Sequence, residues 1–280
     1  MTDDAPHWNL SGFGDEIDPD PRVQVAVLQA LGARYIEVRS AWGTNVADFS
    51  PDQVTELRAI LDATEHRVSA IASPIGKVSI SAAAGEIERL RRVARTAHAL
   101  DARYVRIFSF YRPEGVRAEA IRDDVLDALS TLADVALSEG LVLLHENEKE
   151  IYGDTPERVL DLARNIVSPA FRLAWDAANF VQVGVRPHTA AWADLAPYVE
   201  YLQVKDADLA TGEVRPSGEG DGEVEATVAA LAASGYSGFA SLEPHLTEAG
   251  RMGGFSGPAA FGVAARAFAR ITDRTGVQLR

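Results

Sequence analysis

Acidic or amide side chains stand at the carboxyl ends of four consecutive apolar runs: Glu146, Asp176, Gln203 and Glu243. If these runs are parallel strands of one barrel, their carboxyl ends meet at one mouth. Three carboxylates gathered there repel one another strongly unless a cation neutralises them. Such an all-oxygen set suits Mg²⁺ or Mn²⁺ better than Zn²⁺, and leaves other divalent ions open. Any one acid could simply cap the helix after its strand, but the recurrence on four strands favours a metal site.

The most informative of these strand ends is LVLLHENEKEIYGD, residues 141–154. Its LVLL run has the length and composition of a strand buried on both faces. The run then changes into HENEKE, a density of charge that no buried strand continues. An ordinary solvated loop would show such a change once. Because the change recurs along the chain, we interpret it as the mouth at which barrels carry out their chemistry.

Eight apolar runs alternate with helical patterns, at residues 8–14, 34–38, 68–72, 104–108, 141–144, 172–175, 201–204 and 238–242. Ser50 before Pro51 reads as an N-cap with proline at the first helical position, and Thr155 before Pro156 opens another helix. Further helices are expected over 82–100, 117–138, 224–233 and 259–271. Strict alternation without a linker predicts an α/β fold, a (β/α)₈ TIM barrel, with residues 1–280 as a single domain. An open doubly wound sheet is the alternative, disfavoured because no G-x-G-x-x-G turn follows the first run.

Composition limits the class of protein. The 280 residues are 47% hydrophobic, enough for a full core, and the absence of cysteine excludes disulfides and thiolate chemistry. A net charge of −14 argues against a nucleic-acid partner, which would require a basic face. The opening MTDDAPHWNL lacks the basic and apolar regions of a signal peptide, and no run is long enough to span a membrane. We therefore expect a cytoplasmic protein without a membrane partner, and homo-oligomerisation stays open.

Several segments resemble one family in their order and spacing: FGDEI, YIEVRSAWGTNV, SPIGKV, YVRIFSFY, LLHENEKEIYGDTPER, WDAANFVQVGVRP, YLQVKDAD, SGEGDGE and GYSGFASLEPH. Over nearly its whole length the chain resembles the xylose isomerase-like TIM-barrel superfamily of sugar phosphate isomerases and epimerases. The resemblance implies Glu146, Asp176, Gln203 and Glu243 as metal ligands. The strand-seven pattern is usually H-x-K-D, and Gln203 stands in the place of its histidine. Either the ion is therefore bound less tightly, or Gln203 stands back from it.

The related apurinic endonucleases bind a zinc cluster with several histidines. This chain carries Glu148 and Asn179 where such histidines would fall, and its acidic surface would repel DNA. We therefore set that branch of the superfamily aside.

The chemistry implied by the resemblance is proton transfer next to a carbonyl, in which a bound metal stabilises an enediolate. Glu146 and Glu243 would hold the metal and could also act as the paired base and acid. Lys205 is the third candidate catalytic residue, as a stabiliser of the developing oxyanion or as an acid. The alternative for Lys205 is a structural ion pair with a neighbouring carboxylate such as Asp206.

Further residues are candidates to bind a sugar or keto-sugar substrate: Glu37, Arg39, Trp42, Arg106, Asn179 and His245. Trp42 could stack on a sugar face or pack within its loop. Barrels often bind phosphate in the loops after strands seven and eight, where this chain has the glycine-rich SGEGDGE. The three acids of that loop favour a substrate without phosphate, such as a sugar, a keto-sugar or a cyclitol.

Three functions remain open. A metal-dependent isomerase or epimerase, the favoured one, returns a product of unchanged mass. A lyase or dehydratase of a keto-sugar or inosose would use the same site and then lose water or a leaving group. A non-catalytic sugar-binding barrel without metal is the third, and Gln203 is the only residue that suggests it.

Overall fold

The computed structural model describes residues 6–246, 249–250, 253–254 and 256–280. Eight parallel strands form the central sheet: β1 (His7–Gly12), β2 (Tyr35–Val38), β3 (Arg67–Ala72), β4 (Tyr104–Ile107), β5 (Val142–Glu146), β6 (Phe171–Asp176), β7 (Val199–Val204) and β8 (Phe239–Leu242). The strands from β2 to β8 pair with their neighbours in sequence order, and β8 also pairs with β1. A parallel bridge between Phe13 and Glu37 joins β1 to β2 and closes the ring. The predicted barrel is confirmed, and the open doubly wound sheet is excluded.

The helices surround this ring: α1 (Pro21–Ala30), α2 (Pro51–Ala63), α3 (Ala84–Ala99), α4 (Arg122–Ser138), α5 (Pro156–Asn165), α6 (Ala177–Gln182), α7 (Ala193–Leu195), α8 (Val224–Ala233) and α9 (Gly257–Thr275). The segment after β6 departs from the pattern of one strand followed by one long helix. Here α6 has only six residues, and a π-helix, His188–Trp192, leads into α7. None of the helices in the described residues is long and apolar enough to cross a membrane.

Short elements complete the chain. Single 3₁₀ turns occupy Gly14–Glu16, Val46–Asp48, Ile80–Ala82, Ala118–Ile121, Tyr152–Asp154 and Ala196–Tyr198. Two-residue strands form three small hairpins, Ser40–Ala41 with Thr44–Asn45, Asp206–Ala207 with Val214–Arg215, and Ala249–Gly250 with Gly253–Gly254. A last short strand, Gln278–Leu279, pairs with the start of β1.

The predicted cap of α2 is present. The Gln53 amide donates to Ser50 Oγ over 3.2 Å, and the Ser50 amide donates to Gln53 Oε1 over 2.9 Å. This reciprocal capping box satisfies two of the amides that a helix start leaves without an intrahelical partner. Pro51 follows at the first helical position, where no amide proton is needed.

The junction between β1 and β2, which we call the seam, is built differently from the rest of the ring. β8 pairs with one edge of β1, and on the opposite edge the first residues of β1, His7 and Trp8, pair with Gln278–Leu279. In the described part of the chain, the Phe13–Glu37 bridge is the only pairing that joins the end of β1 to β2. Beyond this bridge, Arg39 pairs with Asp15 and Glu16, which follow β1.

The apolar core of the described residues has two main parts, and a third, small cluster contains Ala178, Val181 and Ala207. The larger part lies between the barrel and its helices and includes Trp8, Leu28, Ile36 and Phe268. The smaller part fills the inside of the barrel with Ala70, Val142, Leu144, Ala174 and Tyr201. Barrel interiors are filled with side chains in this way and are not pores. Chemistry is thereby confined to the mouth, the end of the barrel at which the strands' carboxyl ends lie.

Candidate active site

Three carboxylates meet at the mouth. Glu146 ends β5, Asp176 ends β6 and Glu243 directly follows β8. One oxygen of each lies within 4.8 Å of the others, and all three side chains are buried. The predicted convergence of these strand ends is present. Buried carboxylates at this separation require a compensating positive charge.

Gln203 lies beside them on β7. Its backbone is in register with Asp176 on one neighbouring strand and with Ser241 on the other. The side chain is 1% exposed, and within the described residues neither its amide oxygen nor its amide nitrogen has a hydrogen-bond partner. Buried polar groups normally have partners. An unengaged amide oxygen next to three carboxylates therefore fits an oxygen-preferring divalent cation.

Lys205 places a positive charge between two of the three carboxylates. Its Nζ donates to Asp176 Oδ2 over 3.0 Å and to Glu243 Oε2 over 3.2 Å. The alternative for Lys205, an ion pair with a neighbouring carboxylate, is present in the structure, but the partners are Asp176 and Glu243, and the suggestion of Asp206 was wrong. Side chains alternate between the two faces of a strand, so Lys205 turns toward the mouth as Gln203 does, and Asp206 turns away from it.

Burial and neighbouring positive charges have opposing effects on the pKa values of Asp176 and Glu243. Burial raises the pKa of Asp176 to about 7; Lys205 opposes the rise, whereas Glu146 and Glu243 add to it. Burial would also raise the pKa of Glu243, but Lys205, His245, Arg39 and Arg106 together hold it well below its ordinary value. Glu243 is therefore firmly ionised, whereas Asp176 lacks sufficient positive charge in its surroundings.

Arg39 joins three acids across the seam. Its guanidinium lies 2.8 Å from Asp15 Oδ2, 3.0 Å from Glu16 Oε1 and 2.6 Å from Glu243 Oε1. Asp15 and Glu16 directly follow β1 and are not among the site residues predicted from the sequence. Their signal was the same as that of Glu146, a carboxylate directly after a buried strand, in the segment FGDEI.

Arg106 lies on the opposite side of the site, with Nη1 3.3 Å from Glu146 Oε2. Its guanidinium also lies 4.4 Å from the centre of the Phe108 ring, a cation–π arrangement. Glu146 Oε2 has no hydrogen-bond partner within the described chain. That oxygen is thus close to a cation but free to accept a proton or to bind a metal.

Asn179 orients two of the carboxylates. Its Nδ2 donates to Glu146 Oε1 over 3.1 Å, and its backbone amide donates to Asp176 Oδ1 over 2.9 Å. Both bonds leave the second oxygen of each acid directed toward the centre of the site. The position of Asn179 behind the carboxylates therefore suits the fixing of their geometry better than direct contact with a substrate.

His245 lies at the rim. Its Nε2 is 3.0 Å from Glu16 Oε1 and 3.5 Å from Glu243 Oε1. The ring is partly exposed, so among the candidate substrate-binding residues His245 is positioned to meet a ligand entering from solvent.

Two candidate substrate-binding residues are packed within the protein. Glu37 is fully buried inside the barrel, where Tyr201 Oη donates to its Oε2 over 2.8 Å. Trp42 is partly buried and lies 6.0 Å, ring centre to ring centre, from Phe49. The packing alternative for Trp42 is therefore the one present in the structure.

The glycine-rich loop SGEGDGE binds a carboxylate of its own chain. Backbone amides of Gly218, Gly220 and Gly222 donate to Asp206 over 2.8, 3.2 and 2.7 Å. A Cβ on Gly220 or Gly222 would come within 2.5 or 2.6 Å of the same carboxylate, so glycine is required there. The amides that could have bound a phosphate are thus already occupied.

The fold and the site together define an α/β barrel with an oxygen-rich mouth suited to a divalent cation. The family model of the xylose isomerase-like TIM barrel matches residues 25–267, and this chain belongs to that family.

Comparison with known proteins gives relatives of the same kind. A curated relative from Actinoplanes sp. (strain ATCC 31044 / CBS 674.73 / SE50/110), a 2-epi-5-epi-valiolone 7-phosphate 2-epimerase, is 30% identical over 224 residues, covering 77% of this chain and 79% of that protein. A solved D-tagatose 3-epimerase-like protein matches 95% of this chain and 98% of its own, with a TM-score of 0.79 and 17% identity. A xylose isomerase-like TIM-barrel protein from Mycobacterium smegmatis, solved in complex with magnesium, matches 98% and 97%, with a TM-score of 0.71 and 18% identity.

Proposed function

We propose that this protein is a divalent-metal-dependent isomerase or epimerase that moves a proton next to the carbonyl of a sugar, keto-sugar or cyclitol. The observation that carries the proposal is the convergence of Glu146, Asp176 and Glu243, with oxygens within 4.8 Å of one another. A site of this charge needs a cation, and the candidate acid–base groups lie at the same place.

The ion would be held by the three carboxylates together with the unpartnered amide oxygen of Gln203. This donor set consists only of oxygens, which supports Mn²⁺ or Mg²⁺. When bound, the ion polarises a substrate carbonyl and so acidifies the adjacent C–H bond.

The surroundings of Glu146 and Glu243 differ, which supports a different role for each of them in the reaction. Arg39 donates to Oε1 of Glu243 and Lys205 to its Oε2, so both oxygens of this acid already accept hydrogen bonds from cations. Glu146 Oε2 accepts no hydrogen bond in the described chain. We assign Glu146 as the base, and Glu243 chiefly as a ligand of the ion.

The cationic groups around the acids are suited to stabilising an oxyanion and to binding substrate hydroxyls. Lys205 can donate to the oxyanion that develops on the substrate, because its ammonium faces the three carboxylates. Arg106 and His245, on either side of the acids, are positioned to hold substrate hydroxyls.

The comparisons support an isomerase or epimerase, because the names of the curated relative and of the D-tagatose 3-epimerase-like structure are those of epimerases. The relative's substrate carries a phosphate by name. In this chain the glycine-rich loop binds Asp206 instead, which supports a substrate without phosphate. A screen therefore includes both forms of each candidate.

The test combines metal analysis with solvent exchange. Keto-sugars and inososes, with and without phosphate, are incubated in deuterated buffer with Mn²⁺, and their products are analysed by mass spectrometry and NMR. We expect deuterium at the carbon next to the carbonyl and about one Mn²⁺ per chain. Glu146→Gln should abolish exchange, and Asp176→Asn should release the metal. Glu88→Gln, the same substitution on an exposed side chain of α3, is the matched control.

Each other outcome has a distinct meaning. A product that has lost the mass of water would indicate the dehydratase alternative. Turnover without deuterium incorporation would contradict proton transfer while leaving the metal site intact. Sugar binding without metal and without turnover would indicate a non-catalytic binding barrel.

A further inference from the structure

Lys205 and a metal ion would compete for the same two carboxylates, those of Asp176 and Glu243. Asp176 Oδ2 and Glu243 Oε2, which Lys205 contacts at 3.0 and 3.2 Å, belong to the carboxylates of the metal site proposed above. We infer that the Lys205 ammonium is the resident counter-ion of the metal-free site, and that metal binding displaces it and frees it for the substrate. This inference rests on the proposed function.

The contacts of Lys205 support an exchange of partners. The side chain is 4% exposed, and within the described residues its Nζ has no hydrogen-bond partner besides those two acids. A metal bound by both acids would remove both partners and bring a second positive charge next to the ammonium. A lysine has a flexible stem and three rotatable donors, so it can change partners without any movement of the backbone.

A further acid is available to receive the displaced ammonium. Besides Asp176 and Glu243, the charges that act on Lys205 are those of Glu146 and Glu148. Glu146 would be a metal ligand, whereas Glu148 is not one of the three converging acids. Glu148 already lies 3.2 Å from Lys77 Nζ on the other side of the mouth. Displacement would therefore move Lys205 away from the ligands of the metal and toward the opening of the barrel.

The amino-acid composition makes this movement measurable. The chain has only three lysines, Lys77, Lys149 and Lys205. Lys149 is exposed, Lys77 is partly exposed and Lys205 is buried. An amine-acylating reagent therefore reports on Lys205, with the exposed Lys149 as an internal reference in the same molecule.

The first experiment is acylation of the full-length protein in EDTA and in Mn²⁺, followed by peptide mass spectrometry, with Mn²⁺ affinity measured by calorimetry. We expect Mn²⁺ to speed the acylation of Lys205 by about tenfold or more, the usual size of a coupling between two binding events. The acylation of Lys149 should not change. Mn²⁺ binding with no faster acylation of Lys205 would overturn the inference and leave the metal site standing. Absence of Mn²⁺ binding would overturn both.

The second experiment compares the Mn²⁺ affinity of Lys205→Met, Lys205→Arg and the control Lys77→Met. Removing the competing charge should strengthen binding by about tenfold, whereas Lys205→Arg keeps the charge and should not strengthen it. Unchanged or weaker binding by Lys205→Met would contradict the inference. Lys205→Met leaves buried acids unpaired and could fail to fold without metal. The acylation of the wild-type protein tests the inference in that case.

Discussion

Tyr201 donates a hydrogen bond from its hydroxyl to Glu37 Oε2, over 2.8 Å, inside the barrel. Tyr201 is also 2.9 Å from Ser69 Oγ, and Ser69 is 2.6 Å from Ser11 Oγ. A small polar network therefore crosses an otherwise apolar interior below the three carboxylates. Burial raises the pKa of Glu37 to about 7, because solvent cannot reach its charge.

This raised pKa predicts a pH dependence of stability. The ordinary pKa of a glutamate is 4.5, and the pKa of Glu37 in the folded protein is about 7. Between these two pH values the folded protein keeps a proton on Glu37 that the unfolded chain releases. The free energy of unfolding should therefore fall as the pH rises through this window. Glu37→Gln should be more stable than the wild type at pH 8, by about 2 kcal/mol, and the difference should shrink at pH 5.

Urea unfolding at several pH values measures the effect. Glu88→Gln, the same substitution on a side chain of α3 that is 60% exposed, is the matched control. A Glu37→Gln advantage of the same size at pH 5 and pH 8 would contradict a titration of Glu37 in this range.

Gln203→His tests whether this residue is a ligand. An imidazole is a softer donor than an amide oxygen, so the variant should shift from Mg²⁺ or Mn²⁺ toward Zn²⁺ or Co²⁺. We expect the ratio of affinities to change by about tenfold, or about 1.4 kcal/mol. Calorimetric titration with each metal measures it. An unchanged order of preference would mean that Gln203 does not touch the metal.

Asp206→Ala should expose the amides of the glycine-rich loop. Four backbone N–H groups, those of Ala207, Gly218, Gly220 and Gly222, donate to this carboxylate. Leaving them unsatisfied should cost about 2 kcal/mol or more. Added phosphate should restore part of the lost thermal stability, because the emptied loop offers several donors to an anion. Glu213→Ala, which removes a 67% exposed carboxylate from the same hairpin, is the control and should show no rescue by phosphate.

Arg39→Met should destabilise the fold more strongly than the loss of a surface charge. It leaves three buried acids without their shared partner, and breaking a buried ion pair typically costs about 3–5 kcal/mol. Arg22→Met removes an exposed ion pair with Glu56 and should cost about 1 kcal/mol or less. Equal losses in chemical denaturation would contradict a structural role for Arg39.

The barrel and its three converging carboxylates could be predicted because they follow from a repeated local pattern, an apolar run that ends in an acid. The choice of ion-pair partners could not be predicted. Arg39 and Glu243 lie 204 residues apart in sequence, and their contact exists only because the ring closes between them. The depth at which each side chain lies in the barrel could not be predicted either. Glu37 and Arg39 face the same way, yet only Arg39 reaches the acids at the mouth, and Glu37 lies one layer below.

The seam also has a consequence for how the protein folds and opens. Among the residues that the structure describes, a single bridge, Phe13 with Glu37, holds β1 to β2, so few backbone hydrogen bonds oppose local opening at this junction. Because Arg39, Glu16 and Glu243 meet across this junction, a partly folded chain has a barrel wall but no complete site. In hydrogen exchange we expect the amides at the β1–β2 junction to open before those of β5 and β6. Any ligand that binds these charges would slow that opening, and so extend the lifetime of the closed barrel as a whole.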